Sequence, residues 1–184
     1  MVTKEKATCD YCGKDATDLF RQMGEHIIVK CRHCDLIYVN PRITKEELDK
    51  LYSEDYFISH NVQMKDAEHV AWSRLKRRLK IIEKFAPDKG KFLEIGCASG
   101  YFLSLAKKNG WDVEGIEYSS FAAQRARQMF SIDVRTGEFK EGVFQPNIYY
   151  DVVFMSHVLE HCFEPKKNPR GNLSSSEKKW YSGD

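Results

Sequence analysis

The rhythm of apolar residues changes along the chain and divides it into four stretches. In residues 1–42 two short β-prone runs, 26–29 (His-Ile-Ile-Val) and 36–39 (Leu-Ile-Tyr-Val), lie among turn residues, and Asn40-Pro41 closes the stretch with a turn signal. Residues 43–86 carry helical spacing. Thr44 is a candidate N-cap, Glu46 and Glu47 fall in the first turn, and Leu48 and Leu51 share a face. A longer helix then runs to Pro87, with Leu75, Leu79, Ile82 and Phe85 at helical intervals and a basic opposite side of Arg74, Lys76, Arg77, Arg78, Lys80 and Lys84. Tyr52, Tyr56, Phe57 and Trp72 serve there either as core filler or as a lid over a ligand.

Residues 87–165 alternate. Strands are predicted over 91–95, 112–117, 132–135 and 149–155, and helices over 101–109 and 120–130. This order predicts an α/β fold with a Rossmann-like, doubly wound parallel sheet. In residues 166–184 the pattern breaks: the run Lys166–Lys179 holds one apolar residue, Leu173, and reads as disordered.

Composition narrows the class. The 184 residues include 29 Lys and Arg against 27 Asp and Glu, a formal net charge of +2, which does not suggest a polyanion-binding protein. No stretch approaches the roughly 18 apolar residues of a membrane helix, and Met1–Lys6 lacks the apolar core of a signal peptide. A cytoplasmic location is expected, and there six cysteines point to metal binding or free thiols rather than disulfides.

Cys9-x-x-Cys12 and Cys31-x-x-Cys34 are separated by 18 residues, the spacing of a two-knuckle structural zinc site. Each pair turns two thiolates toward one ion, and two pairs complete a tetrahedron with no open position. Gly13 suits the positive φ of a knuckle turn. Two disulfides, or four unrelated thiols, form the competing reading, and His26 and His33 are alternative ligands.

The segment 92–103 (Phe-Leu-Glu-Ile-Gly-Cys-Ala-Ser-Gly-Tyr-Phe-Leu) runs from an apolar strand through Gly96 and Gly100 into a helix. A dinucleotide fingerprint needs further glycines where Ala98 and Tyr101 stand. Glu117 ends the next strand, 21 residues after Gly96, where doubly wound folds place an acid on a ribose diol. The strand over 150–155 leads into Ser156-His157-Val158-Leu159-Glu160-His161.

Glu94-x-Gly96-x-x-x-Gly100 resembles motif I of the class I S-adenosylmethionine (SAM)-dependent methyltransferases, and the His-Val-Leu-Glu-His string resembles the segment after their fourth strand. The resemblance spans residues 9–165 and includes Asn40-Pro41-Arg42 and residues 51–57. It implies that Glu94, Gly96, Cys97, Ala98, Gly100 and Tyr101 line the cofactor site. It further implies that Glu117 holds the ribose, that Ile116 and Tyr118 flank the adenosine, and that an adenine contact lies near Gly137-Glu138-Phe139. His157, Glu160 and His161 would lie between SAM and the methyl acceptor, with His157 or His161 as general base. Similar zinc-ribbon methyltransferases include sugar C-methyltransferases, so a small-molecule acceptor is expected.

Competing readings remain. His-x-x-Glu-His also matches a zinc-protease motif, though it follows a strand here. A non-catalytic binding module, or a nucleic-acid methyltransferase using the basic helix, are the alternatives. The expected order is a zinc ribbon (1–42), a helical linker (43–86), a SAM-binding domain (87–165) holding the first four of seven family strands, and the tail. One permitted set of codons for Asn168–Lys178, read one base on, spells Ile-Leu-Glu-Glu-Ile-Tyr-Arg-Val-Leu-Lys, an apolar-periodic helix. The expectation is therefore a frameshifted, C-terminally truncated chain with impaired activity.

Overall fold

A computed structural model describes residues 2–52, 68–138 and 148–163. Tyr56, Phe57, Phe139 and the tail over 166–184 lie outside the described residues. Two compact units divide between Leu51 and Tyr52, and Phe163 belongs with the first. The stretch expected as a linker is thus shared between the units.

In the first unit β1 (Lys4–Glu5) pairs antiparallel with β5 (Arg42–Ile43), and β2 (Thr17–Met23), β3 (His26–Cys31) and β4 (Ile37–Val39) form an antiparallel sheet in that order. β3 and β4 follow the two β-prone runs. β2 has no such signal, for a physical reason. Its register shifts between Leu19 and Arg21, which breaks alternation, and every residue after Thr17 is exposed. Among the described residues of this unit the buried ones are few: Ala7, Cys9, Val29 and Cys31. The Asn40 side chain clasps Ala7, accepting from its N–H at 3.0 Å and donating to its carbonyl at 3.1 Å. Arg42 donates to Glu5 and to Asp10, each at 3.0 Å. Helix α1 (Lys45–Leu51) begins as its cap residue predicts, with the Thr44 hydroxyl accepting from the Glu47 N–H at 3.4 Å.

The second unit holds α2 (Glu68–Phe85), β6 (Lys91–Ile95), α3 (Tyr101–Lys108), β7 (Asp112–Glu117), α4 (Ser120–Phe130), β8 (Asp133–Thr136) and β9 (Val152–Met155). The strands are parallel in the order β8-β7-β6-β9, as the alternation of elements requires. α2, α3 and α4 bury Leu79 and Ile82, Phe102, Leu103 and Ala106, and Ala123 and Ala126 against Phe92, Val134 and Phe154. On the opposite face Leu93, Ile95, Ile116 and Tyr150 form a second cluster. The chain steps outward from β6 to β8, then crosses back to place β9 on the far side of β6. The strand order therefore reverses at the carboxyl end of β6, the place where such sheets bind ligands. Among the described residues no helix is long and apolar enough to cross a membrane.

Candidate functional site

The carboxyl ends of β6, β7 and β9 bring most of the expected residues together. β6 ends in a bend where Gly96 and Gly100 take φ of 72° and 77°, and Ala98 takes 47°. A Cβ on Gly96 would collide with the Val158 side chain, and one on Gly100 would lie 2.8 Å from Ala126 Cβ on α4. Backbone N–H groups of Gly96 and Cys97 donate to the Ile116 carbonyl at 2.8 and 3.3 Å, tying the bend to β7. Gly100 caps α3 without a side-chain hydrogen bond.

The deciding contact is made by Glu117. Its Oε2 accepts from the Ala98 N–H at 2.7 Å and its Oε1 from the Ser119 N–H at 2.9 Å. The acid at the end of the second strand thus reaches into the glycine bend. The post-β9 segment comes to the same place, because Val158 covers Gly96. His157 stands at φ 54°, in the left-handed region. Its Nδ1 lies 3.3 Å from Glu160 Oε1, and both side chains are exposed. His161 ends a short 3-10 turn, Leu159–His161.

The sequence matches the family described as "Methyltransferase domain" over residues 65–174, more than half of the chain. The chain belongs to this methyltransferase family. Comparison with curated proteins gave no match. Among solved structures the chain is similar to a Pyrococcus horikoshii OT3 protein, at 22% identity and TM-score 0.42, covering 48% of this chain and 42% of that one. It is similar to a TehB-like SAM-dependent methyltransferase from Corynebacterium glutamicum, at 20% identity and TM-score 0.38, covering 49% and 53%. It is also similar to the glycopeptide N-methyltransferase MtfA in complex with sinefungin, at 15% identity and TM-score 0.40, covering 47% and 38%. The chain thus spans about half or less of the length of each.

SAM is the cofactor expected of a methyltransferase of this family, and the residues present fit it. Among the described residues nothing partners Glu94 Oε2, a buried carboxyl oxygen that a bound ligand's polar group could satisfy. Glu117 accepts from the Ala98 and Ser119 N–H groups, with a further backbone contribution from Tyr118, and a carboxylate's four lone-pair sites leave acceptor capacity for a ribose diol. The fit is not uniform across the expected set. The Cys97 side chain is buried in the core, its thiol pushed up by burial, so it packs rather than faces a ligand. Tyr101 is wedged between Trp72 and Phe130, with ring centroids 6.0 and 5.3 Å away. Ile116 points away from the site into the second core cluster, because successive strand residues face opposite sides and Glu117 takes the site side. Gly137 donates its N–H to the Glu117 carbonyl at 2.9 Å, which brings the 137–138 segment to the end of β7.

Two further residues come to the site: Arg78, read from the sequence only as part of the basic side of its helix, and Tyr52, weighed there as core filler or as a lid. Arg78, on the basic side of α2, is half-buried and donates to the Ser156 hydroxyl at 3.3 Å, while its neighbours Arg77 and Lys80 are exposed. Tyr52 lies against Tyr118 and His161. Neither is marked by periodicity, because each reaches the site from an element distant in sequence.

Burial, and then the charge of Glu117, pushes the Glu94 carboxyl up to about 8, while the Leu103 N–H and Arg78 act against the rise. Glu117 is also raised, by burial. A carboxyl raised in the folded state keeps its proton where the unfolded chain has lost it. The native state then binds more protons, and stability falls as pH rises from about 4.5 toward about 8. Denaturant titrations are expected to show that decline, with Glu94→Gln flattening it. A stability that rises over the window, or an unchanged slope in the variant, would contradict the assignment.

In the first unit the Sγ atoms of Cys9, Cys12, Cys31 and Cys34 all lie within 4.8 Å of one another. The Cys9–Cys34 and Cys12–Cys31 pairs are 3.4 and 3.6 Å apart. Four sulfurs around zinc stand about 3.8 Å apart given Zn–S bonds of about 2.3 Å. All four thiols are free, so the disulfide alternative is not what the structure contains. The knuckles are built alike. The Gly13 N–H bonds the Cys9 carbonyl at 2.7 Å and the Asp35 N–H bonds that of Cys31 at 3.1 Å, with φ of 73° and 63°. The His33 N–H donates to Cys31 Sγ at 3.4 Å and is the largest influence holding that thiol down at about 7. The cluster is consistent with zinc and comprises cysteines alone, without His26 or His33.

Proposed function

We propose that the chain catalyses methyl transfer from SAM to a small-molecule acceptor, with a structural zinc ion in the four-cysteine site. The observation that supports this most is the Glu117 carboxylate on the Ala98 N–H, which joins the glycine bend and the ribose acid in one cradle. SAM supplies a methyl group already activated by its sulfonium. The protein's task is to align donor and acceptor and, for an oxygen or carbon nucleophile, to remove a proton. Glu160 orients the His157 imidazole through Nδ1, leaving Nε2 for an acceptor proton. His161, one turn further, is the second base in reach of the same region. Gly96, Ala98 and Gly100 provide backbone rather than side chains to the ligand, and Tyr118 flanks the adenosine.

The test is incubation with SAM and a panel of small-molecule acceptors, nucleotide-linked sugars included, read by product mass. His157→Asn or His161→Asn is expected to lower turnover about 100-fold, the scale of a lost general base. Unchanged turnover in both variants would remove the base assignment, and transfer only to RNA or DNA would overturn the small-molecule reading.

A further inference from the structure

Tyr52 follows α1 directly in the chain, and its half-buried ring meets two others. The Tyr118 ring lies at a centroid distance of 5.9 Å and an interplanar angle of 65°, and the His161 ring at 6.0 Å and 90°. Tyr118 is the residue after Glu117, whose carboxylate holds the glycine bend. His161 ends the turn whose Val158 covers Gly96. β6 lies between β7 and β9 in the sheet, so one ring bridges residues on either side of the β6 end. Both contacts are edge-on. Such contacts fix orientation, since the positive edge of one ring seeks the face of the next.

The two histidines of the site differ in how they are held. His157 is oriented by Glu160. Among the described residues no hydrogen bond holds the His161 imidazole, and its ring neighbour is Tyr52. An imidazole that takes a proton must present the correct nitrogen along the correct line. We propose that Tyr52 is a positioning residue for methyl transfer, whose ring holds Tyr118 and the His161 imidazole in register across the cofactor cradle. The proposal rests on the methyl-transfer reading of the same site. It assigns Tyr52 no chemistry of its own: the ring matters and the hydroxyl does not.

The experiment uses the full chain with 13C-labelled histidine, the His161 signals being assigned through His161→Asn. Wild type, Tyr52→Phe and Tyr52→Leu are compared before and after SAM addition, with affinities from calorimetry. In wild type and Tyr52→Phe, SAM is expected to shift the His161 ring signals. In Tyr52→Leu those signals move from their wild-type position before SAM is added and no longer respond to it. SAM binding in Tyr52→Leu weakens about threefold to tenfold, the scale of lost edge-on ring pairs, and in Tyr52→Phe by less than about twofold. A wild-type chain that binds no SAM overturns the cofactor reading and this proposal with it. Wild-type binding with His161 signals and affinity unchanged in Tyr52→Leu overturns this proposal alone, as does a Tyr52→Phe chain that behaves like Tyr52→Leu.

Discussion

Replacing Cys31 by serine is expected to strip the N-terminal unit of its metal and unfold it. The wild-type chain should carry one zinc ion, by elemental analysis, and the variant none. The effect is large because the unit has little else to hold it. Among the described residues Ala7, Cys9, Val29 and Cys31 are its buried apolar residues, β2 is exposed along nearly all its length, and α1 buries nothing. Structural zinc supplies on the order of 10 kcal/mol or more to units of this kind, well beyond what four buried side chains can replace. Hydrogen exchange should therefore rise across residues 2–51 in Cys31→Ser, or in wild type with a strong chelator. The parallel sheet of the second unit, with its own core around Phe92, should keep its protection. A metal-free chain whose residues 2–51 remain protected would show that the four thiols are not a metal centre.

Glu117→Ala should weaken SAM binding about 100-fold, the scale of two lost hydrogen bonds to a charged group. Two causes act together. The side chain is the acid at the ribose position, and its Oε2 also holds the Ala98 N–H, so alanine frees the bend as well. Burial raises the Glu117 carboxyl, so removing it relieves a desolvation cost and the fold should survive. The thermal midpoint serves as the control: lost binding with an intact melting transition supports a ligand role. Retained affinity in a folded Glu117→Ala chain would contradict it.

The parallel sheet was legible because its strands and helices are buried and their apolar spacing shows it: Leu79 and Ile82 on α2, and the β6 run ending at Ile95, are in the core as their periodicity predicts. β2 was not legible, because an exposed, bulged strand writes no alternation. Within the site, the cysteine spacing and the paired acid and glycine motifs named the residues that converge. What they did not name depends on contacts between distant segments. Val158 above Gly96, Arg78 on Ser156 and Tyr52 against His161 are set by strand order and chain crossover, which no local pattern records. Ile116, expected beside the adenosine as the neighbour of Glu117, packs in the second core cluster, because the pleat sends the two side chains to opposite faces.

The central claim is that the glycine bend after β6 and the acid at the end of β7 form one cradle for SAM. Amide chemical-shift mapping during a SAM titration tests it most directly. Residues 94–100 and 117–118 should shift together and saturate at one SAM per chain, with the 157–161 turn following. No shifts at saturating SAM, or shifts confined to residues elsewhere, would contradict it.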